Sequence, residues 1–236
     1  MIEVKDITKV YGKGDQAFHA LKGVSFEISK GSSVAIIGKS GSGKSTLMHI
    51  MSGLDSPTDG DIIIDGENLF RLKRRAMDRF RNKTMSFIFQ AFFVLANDTC
   101  LHNVTLPLEI AGVSSAKQKK LAEKALAKVE LSDKVNQKAR NLSGGQKQRL
   151  AIARAIVNEP DIIFADEPTG NLDSVTGAHV EGILFGLNKE GKTLIVVTHD
   201  AELAAKCDIQ IHVKDGAIDK VIQPKKPRMN AKRRRV

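Results

Sequence analysis

The sequence predicts an α/β protein with a mainly parallel sheet at its core, an antiparallel β subdomain at the N-terminus and a helical subdomain inserted between strands. Three observations predict it. Four short apolar runs, residues 34–37, 85–89, 162–165 and 194–197, are of the kind that strands covered on both faces show. Each run ends in polar residues: the first at Gly38, the second at Gln90, the third at Asp166 and Glu167, the fourth at Thr198 and His199. In open α/β sheets ligands sit outside the carboxyl ends of the strands, so the four runs deliver these side chains to one side of one sheet.

The second observation is the N-terminal alternation of Ile2 and Val4, then Val24, Phe26 and Ile28, around a glycine-containing loop at residues 11–14. The third lies between Gln90 and Pro160, where the spacing becomes helical. Ala122, Ala125 and Val129 share one face, and Lys117, Lys120, Glu123, Lys124 and Lys128 offer a solvated one. Residues 141–145 punctuate the chain before another helix, with Leu150, Ala153, Ile156 and Val157 at spacings of three and four, which Pro160 stops. The predicted organisation is a domain over 1–223, with the helical subdomain at about 91–158, and a basic, disordered tail over 224–236.

The 236 residues, 42% hydrophobic and 27% charged, suffice for one substantial core. No apolar run approaches the roughly 18 to 20 residues of a membrane span, and residues 1–9 lack a signal-peptide core, so a cytoplasmic chain is expected. Cys100 and Cys207 stand in no metal-ligand spacing, which excludes a zinc module and a disulfide scaffold. The net charge of +10 invites a nucleic-acid reading, yet seven of those charges belong to the tail (Lys225, Lys226, Arg228, Lys232, Arg233, Arg234, Arg235), leaving +3 for the rest.

Gly38, Lys39, Ser40, Gly41, Ser42, Gly43, Lys44 and Ser45 fit the phosphate-loop pattern G-x-x-x-x-G-K-[ST], after a strand and before the helical stretch opened by Thr46. The glycines let backbone amides close around phosphate oxygens, and the helix N-terminus adds partial positive charge. Lys44 then reaches the β and γ phosphates of ATP and the Ser45 hydroxyl ligates Mg2+, with Thr46 counted among the nucleotide contacts. Asp166 is placed to hold the same Mg2+, and Glu167 to orient or deprotonate the attacking water.

Leu142, Ser143, Gly144, Gly145 and Gln146, ending twenty residues before Asp166, complete an ordered set. With Tyr11, residues 38–45, Gln90, Asp166, Glu167, Leu172, Asp173 and His199, they make the chain resemble the ATP-binding cassettes of ABC transporters over nearly its whole length. The resemblance implies a P-loop NTPase fold of the ABC ATPase type and ATP hydrolysis. It implies that Tyr11 stacks on adenine, that Gln90 touches Mg2+ or the lytic water, that Asp173 communicates across a dimer, and that His199 contacts the γ-phosphate. Ser143, Gly144, Gly145 and Gln146 would cover the ATP held by the other subunit. On physical grounds Ser143 with the Gly144 and Gly145 amides at a helix N-terminus is an anion-binding surface.

Residues 166–173, 87–90 and 103–108 resemble the class that includes lipoprotein-releasing and macrolide-export ATPases; cell-division ATPases share much of this. The implied partners are a second copy of the chain and a separate integral membrane permease, which places the chain at the cytoplasmic face of the inner or plasma membrane. Residues 91–96 are a looser version of the segment that meets that permease. A soluble ABC ATPase acting on nucleic acid is the alternative, although the second cassette, zinc modules or coiled coils of such proteins are missing. For the tail, attraction to anionic lipid headgroups is the sharper reading and a solvated end the plainer one.

Overall fold

The computed structural model describes residues 1–223, and the basic segment 224–236 lies outside the described residues. The N-terminal alternation forms β1 (Ile2–Tyr11) and β2 (Phe18–Ile28), paired antiparallel with Ile2 opposite Ile28 and Val4 opposite Phe26. β3 (Ser33–Ile37) follows, and α1 (Lys44–Met51) begins where the loop of residues 38–43 ends. Two strands that the apolar runs do not announce, β4 (Asp59–Ile64) and β5 (Glu67–Asn68), extend the first sheet in the order β2-β1-β4-β5.

After α2 (Arg74–Thr84), β6 (Met85–Ile88) enters the second sheet. Three helices come next, α3 (Cys100–Ile110), α4 (Ser115–Lys128) and α5 (Gly144–Ile156). As the spacing predicts, Ala122 and Ala125 of α4 and the following Val129 are buried, while Lys117, Lys120, Glu123, Lys124 and Lys128 are exposed. The rest of the chain is β7 (Ile162–Asp166), α6 (Ser174–Lys189), β8 (Thr193–Thr198), the short α7 (Ala201–Ala205), β9 (Ile209–Lys214) and β10 (Ala217–Ile222).

The second sheet has the order β10-β9-β3-β8-β7-β6, parallel throughout except for β10 at its edge. It has six strands rather than the four announced by continuous apolar runs. β9 escapes that signal because it alternates, with Ile209, Ile211 and Val213 buried between more open polar residues. Successive strand residues face opposite sides, so the sheet divides its side chains between two cores. Val34, Ile36, Phe164, Ile195 and Val197 pack with Leu47, Met48, Ile50 and Met51 of α1 and with Ile7, Leu21 and Val24 of the first sheet. Ile163, Ala165, Leu194 and Val196 pack instead against Leu150 and Ile152 of α5, Val180 and Leu184 of α6, and Val104 and Leu126 of α3 and α4. β8, buried at all six positions, is the axis of this arrangement.

Candidate active site at the strand ends

Parallel register brings the ends of β3, β8, β7 and β6 to one edge of the sheet: Ile37 lies opposite Thr198, Val197 opposite Asp166, and Ala165 opposite Ile88. The next residues on each strand therefore meet. They line a cleft of about 450 Å³, walled by Ser40, Gly41, Gly43, Lys44, Ser45, Thr46, Gln90, Asp166, Glu167, Val197 and His199, together with Phe18 and Ala20 of β2.

The phosphate-loop geometry has local steric causes. A Cβ on Gly38 would stand 2.3 Å from the Val213 carbonyl oxygen and 2.5 Å from Ser42 Oγ, so only glycine lets the loop leave β3 this close to β9. Gly43 caps α1 at φ 102, a left-handed conformation that gives the helix no side-chain cap, so its first amides have no side-chain partner. Lys44 Nζ donates to the Lys39 carbonyl oxygen at 2.9 Å, spanning the loop and holding the ammonium over it. Ser42 Oγ is buried with no partner, an orphaned polar group inside the loop. Gly38, Lys39 and Ser42 thus belong to the loop without forming the cleft wall.

Burial, and then the charge of adjacent Glu167, push the Asp166 carboxyl above its ordinary range, while His49, a hydrogen bond from Ser45 and Lys44 pull it back. Glu167 takes φ 44, an uncommon conformation for a side chain of its size. Its amide donates to the Val197 carbonyl at 2.9 Å, and its carboxylate pairs with His199 Nδ1 at 2.8 Å and, at the limit, with Thr198 Oγ1 at 3.5 Å. Such strain persists where the surroundings over-determine it, and it clusters at functional sites. Gln90 lines the opposite wall and is tied to the turn after β7: Asn171 Nδ2 donates to the Gln90 carbonyl at 3.0 Å, and Gln90 Nε2 to Asn171 Oδ1 at 3.4 Å.

Two predicted groups stand apart. Tyr11 is not on the cleft wall. Its hydroxyl donates to Asp55 Oδ2 at 2.7 Å, the Lys9 ammonium stands 4.7 Å from its ring centroid, and the residue is 42% exposed. The aromatic on the wall is Phe18, 58% exposed, which carries no polar chemistry that a motif search would register. Ser143 and Gln146 form a capping box at the start of α5, with the Gln146 amide donating to Ser143 Oγ at 3.3 Å and Gln146 Oε1 accepting from the Ser143 amide at 2.9 Å. Neither they nor Gly144 and Gly145 touch the cleft of their own protomer. Asp173 caps α6, its carboxylate accepting from the Thr176 amide at 2.9 Å and from Thr176 Oγ1 at 2.7 Å.

Among the described residues no group of three His, Cys, Asp or Glu side chains could cage a metal ion. The hard oxygen donors present, Ser45 Oγ and the partly desolvated Asp166 carboxylate, fit Mg2+ that arrives with a polyphosphate and keeps several waters, the usual form in which Mg2+ is bound.

Residues 21–170, more than half of the chain, match the family "ABC transporter". The lipoprotein-releasing system ATP-binding protein LolD of Syntrophotalea carbinolica is 46% identical over 219 residues, covering 92% of this chain and 96% of that protein. The macrolide export ATP-binding/permease protein MacB of Hyphomonas neptunium is 44% identical over 218 residues, 92% of this chain but 34% of that longer protein. The dimeric structure of the ATP-binding cassette MJ0796 in a post-hydrolysis state bound to ADP and Pi superposes with a TM-score of 0.86 at 40% identity, covering 94% of this chain and 98% of that one. With the P-loop architecture and the motifs in this order, the chain belongs to the ABC transporter family, as one of its ATP-binding and ATP-hydrolysing cassettes.

Proposed function

We propose that two copies of this chain enclose two Mg-ATP between them and drive a separate membrane permease of the lipoprotein-release or export class. The observation that carries the reading is the division of the site. The strand ends supply a phosphate loop, a lysine, a carboxylate pair and a histidine in one cleft, while the Ser143 and Gly144 surface faces solvent elsewhere. A second copy would bring that surface over the cleft, a reading that the dimeric structure of MJ0796 supports, and the LolD and MacB relatives support the permease.

In this reading the loop amides and Lys44 hold the β and γ phosphates. Ser45 and Asp166 would hold Mg2+, with Gln90 beside them, and the bound ion would supply charge neutralisation on the phosphate oxygens. Glu167 orients the attacking water and takes up its proton at the carboxylate, and His199, paired with Glu167 at 2.8 Å, stands ready for the γ-phosphate. Phe18 on the wall, with Tyr11 opposite it on β1, would receive the base. Ser143 Oγ and the Gly144 amide of the mate close the γ-phosphate from above. No helix among the described residues is long and apolar enough to cross a membrane; in this reading, work on the membrane passes through the permease, from its cytoplasmic face. Attraction of the tail to anionic lipid is part of the proposal, tested by vesicle sedimentation of the full chain against a chain ending at Gln223.

Glu167→Gln tests the core of it: hydrolysis should stop while ATP binding persists, so that an ATP-bound dimer accumulates. Lys44→Ala should lose binding and turnover together. Normal turnover by Glu167→Gln would remove Glu167 from its role. Co-purification from membranes tests the permease. Failure to recover any membrane protein, together with salt-sensitive RNA or DNA binding, would favour the nucleic-acid alternative.

A further inference from the structure

Gln148 lies on α5, five residues after Ser143, and is fully buried. Its Nε2 donates to the Pro168 carbonyl oxygen at 2.7 Å and, at the limit of a hydrogen bond, to the Phe89 carbonyl oxygen at 3.5 Å. Its Oε1 has no partner. A buried amide with one end unsatisfied is a poor device for stability, because the unmet acceptor carries its full desolvation cost. What the side chain does accomplish is specific. Pro168 follows Glu167 directly and Phe89 directly precedes Gln90, so a single amide reaches the backbone beside both.

Farther along the same helix, Arg154 donates from Nη1 to the Phe93 carbonyl at 2.7 Å and from Nη2 to the Phe92 carbonyl at 3.3 Å. The loop after β6 is therefore held to α5 on both sides of Gln90. The turn after β7 is closed by the Gly170 amide on the Glu167 carbonyl at 3.1 Å and fixed from beneath by Gln148. Glu167 keeps its strained φ 44 inside this set of constraints.

We propose that Gln148 is a positioning residue that locks Glu167 and Gln90 of one cleft to the helix whose tip, at Ser143 and Gly144, serves the partner's cleft, with Arg154 as its second anchor. The inference rests on the two-copy reading above. A change at the helix tip is carried by α5 to the carboxylate of the protomer's own site, which makes the two clefts of a dimer sense one another. Residues 38–45 touch neither Gln148 nor Arg154 in any hydrogen bond of the described residues, so nucleotide capture is independent of the lock.

The test is Gln148→Met in the full chain, which keeps length and volume but removes the donor. Steady-state ATPase titrations, ATP binding by calorimetry and thermal unfolding are read side by side. Expected are a kcat lowered at least tenfold, an ATP affinity within threefold of the parent, and a Hill coefficient for ATP that falls toward one. A folded variant with parental kcat and Hill coefficient would overturn the proposal, as would a loss of binding and turnover in equal proportion, the mark of a merely structural residue. Should Gln148→Met not fold, Arg154→Lys reads the same linkage, with kcat reduced and binding retained; an unchanged kcat and Hill coefficient there overturns it. Glu167→Gln is run alongside. If it traps no ATP-bound dimer, the two-copy reading fails; if it does while Gln148→Met turns over normally, only the positioning role fails.

Discussion

Gly144 and Gly145 are adjacent in the chain but answer to different constraints, and replacing each with alanine separates folding from assembly. A Cβ on Gly145 would lie 2.1 Å from Thr176 Cγ2, inside one protomer. That overlap forces α5 and α6 apart, an overpacking cost of about 1–3 kcal/mol. In a chain of this size each kcal/mol lowers Tm by about 2–4 °C, so the loss should be readily visible in thermal unfolding. Thr176→Ser removes the offending methyl yet keeps the Oγ1 that bonds Asp173 at 2.7 Å, so Gly145→Ala with Thr176→Ser should regain most of the stability in a double-mutant cycle. A Cβ on Gly144 meets only Leu172 Cδ2 at 3.8 Å and Phe92 Cζ at 3.9 Å, ordinary contacts, and the residue is exposed. Gly144→Ala should leave Tm within about 0.5 kcal/mol equivalent of the parent. In a Glu167→Gln background, however, the proposed two-copy site would put its methyl where a mate's nucleotide approaches. ATP-driven dimerisation, measured by sedimentation or light scattering, should weaken at least about tenfold, the factor that 1.4 kcal/mol gives. A Gly144→Ala protein that dimerises with ATP as well as its parent would refute the reasoning.

Three further outcomes are expected. Phe18→Ala should raise KM for ATP roughly tenfold with kcat little changed, because aromatic stacking on a base is worth about 1–3 kcal/mol and the ring has no group that moves a proton; an unchanged KM would leave Tyr11 alone to hold the base. Asn103 is fully buried, accepts from the Leu95 amide at 2.7 Å and donates to the Leu95 and Thr99 carbonyls at 3.1 and 3.0 Å. Asn103→Ala should destabilise by about 1–3 kcal/mol through orphaned backbone groups and expose residues 91–99 to hydrogen exchange. Burial pushes the Cys207 thiol from its ordinary 9.0 up to about 12. A raised thiol pKa stabilises the fold fully below 9.0, and this contribution is lost progressively as pH rises from 9.0 towards about 12. Native protein at pH 8 should therefore leave Cys207 unmodified by a thiol reagent that labels it in urea.

The site was legible where one strand end, one motif and one chemistry coincide. The loop of residues 38–45, Gln90, Asp166, Glu167 and His199 all sit at the ends of continuous apolar runs, and parallel register alone brings them together. β9 was not legible as a continuous apolar run because it alternates, β10 because Asp219 and Lys220 interrupt it on a largely exposed edge, β4 because it pairs with β1, distant in sequence, and β5 because it is only two residues long. Phe18 was missed since an exposed phenylalanine at the first position of a strand announces nothing. Gln148 was missed for the opposite reason: a glutamine within a helix looks like solvated surface, and only the packing of α5 under the turn after β7 turns it inward. Tyr11 was read through resemblance, and its place beside Asp55 follows from a contact across 44 residues that spacing cannot reveal.

The most direct measurement is the structure of Glu167→Gln grown with Mg-ATP. Each nucleotide should rest on residues 38–45 of one protomer with Ser143 Oγ of the mate within hydrogen-bond distance of its γ-phosphate. A nucleotide seated in the cleft of a lone protomer, or two copies joined with Ser143 turned away from the phosphates, would contradict the two-copy site.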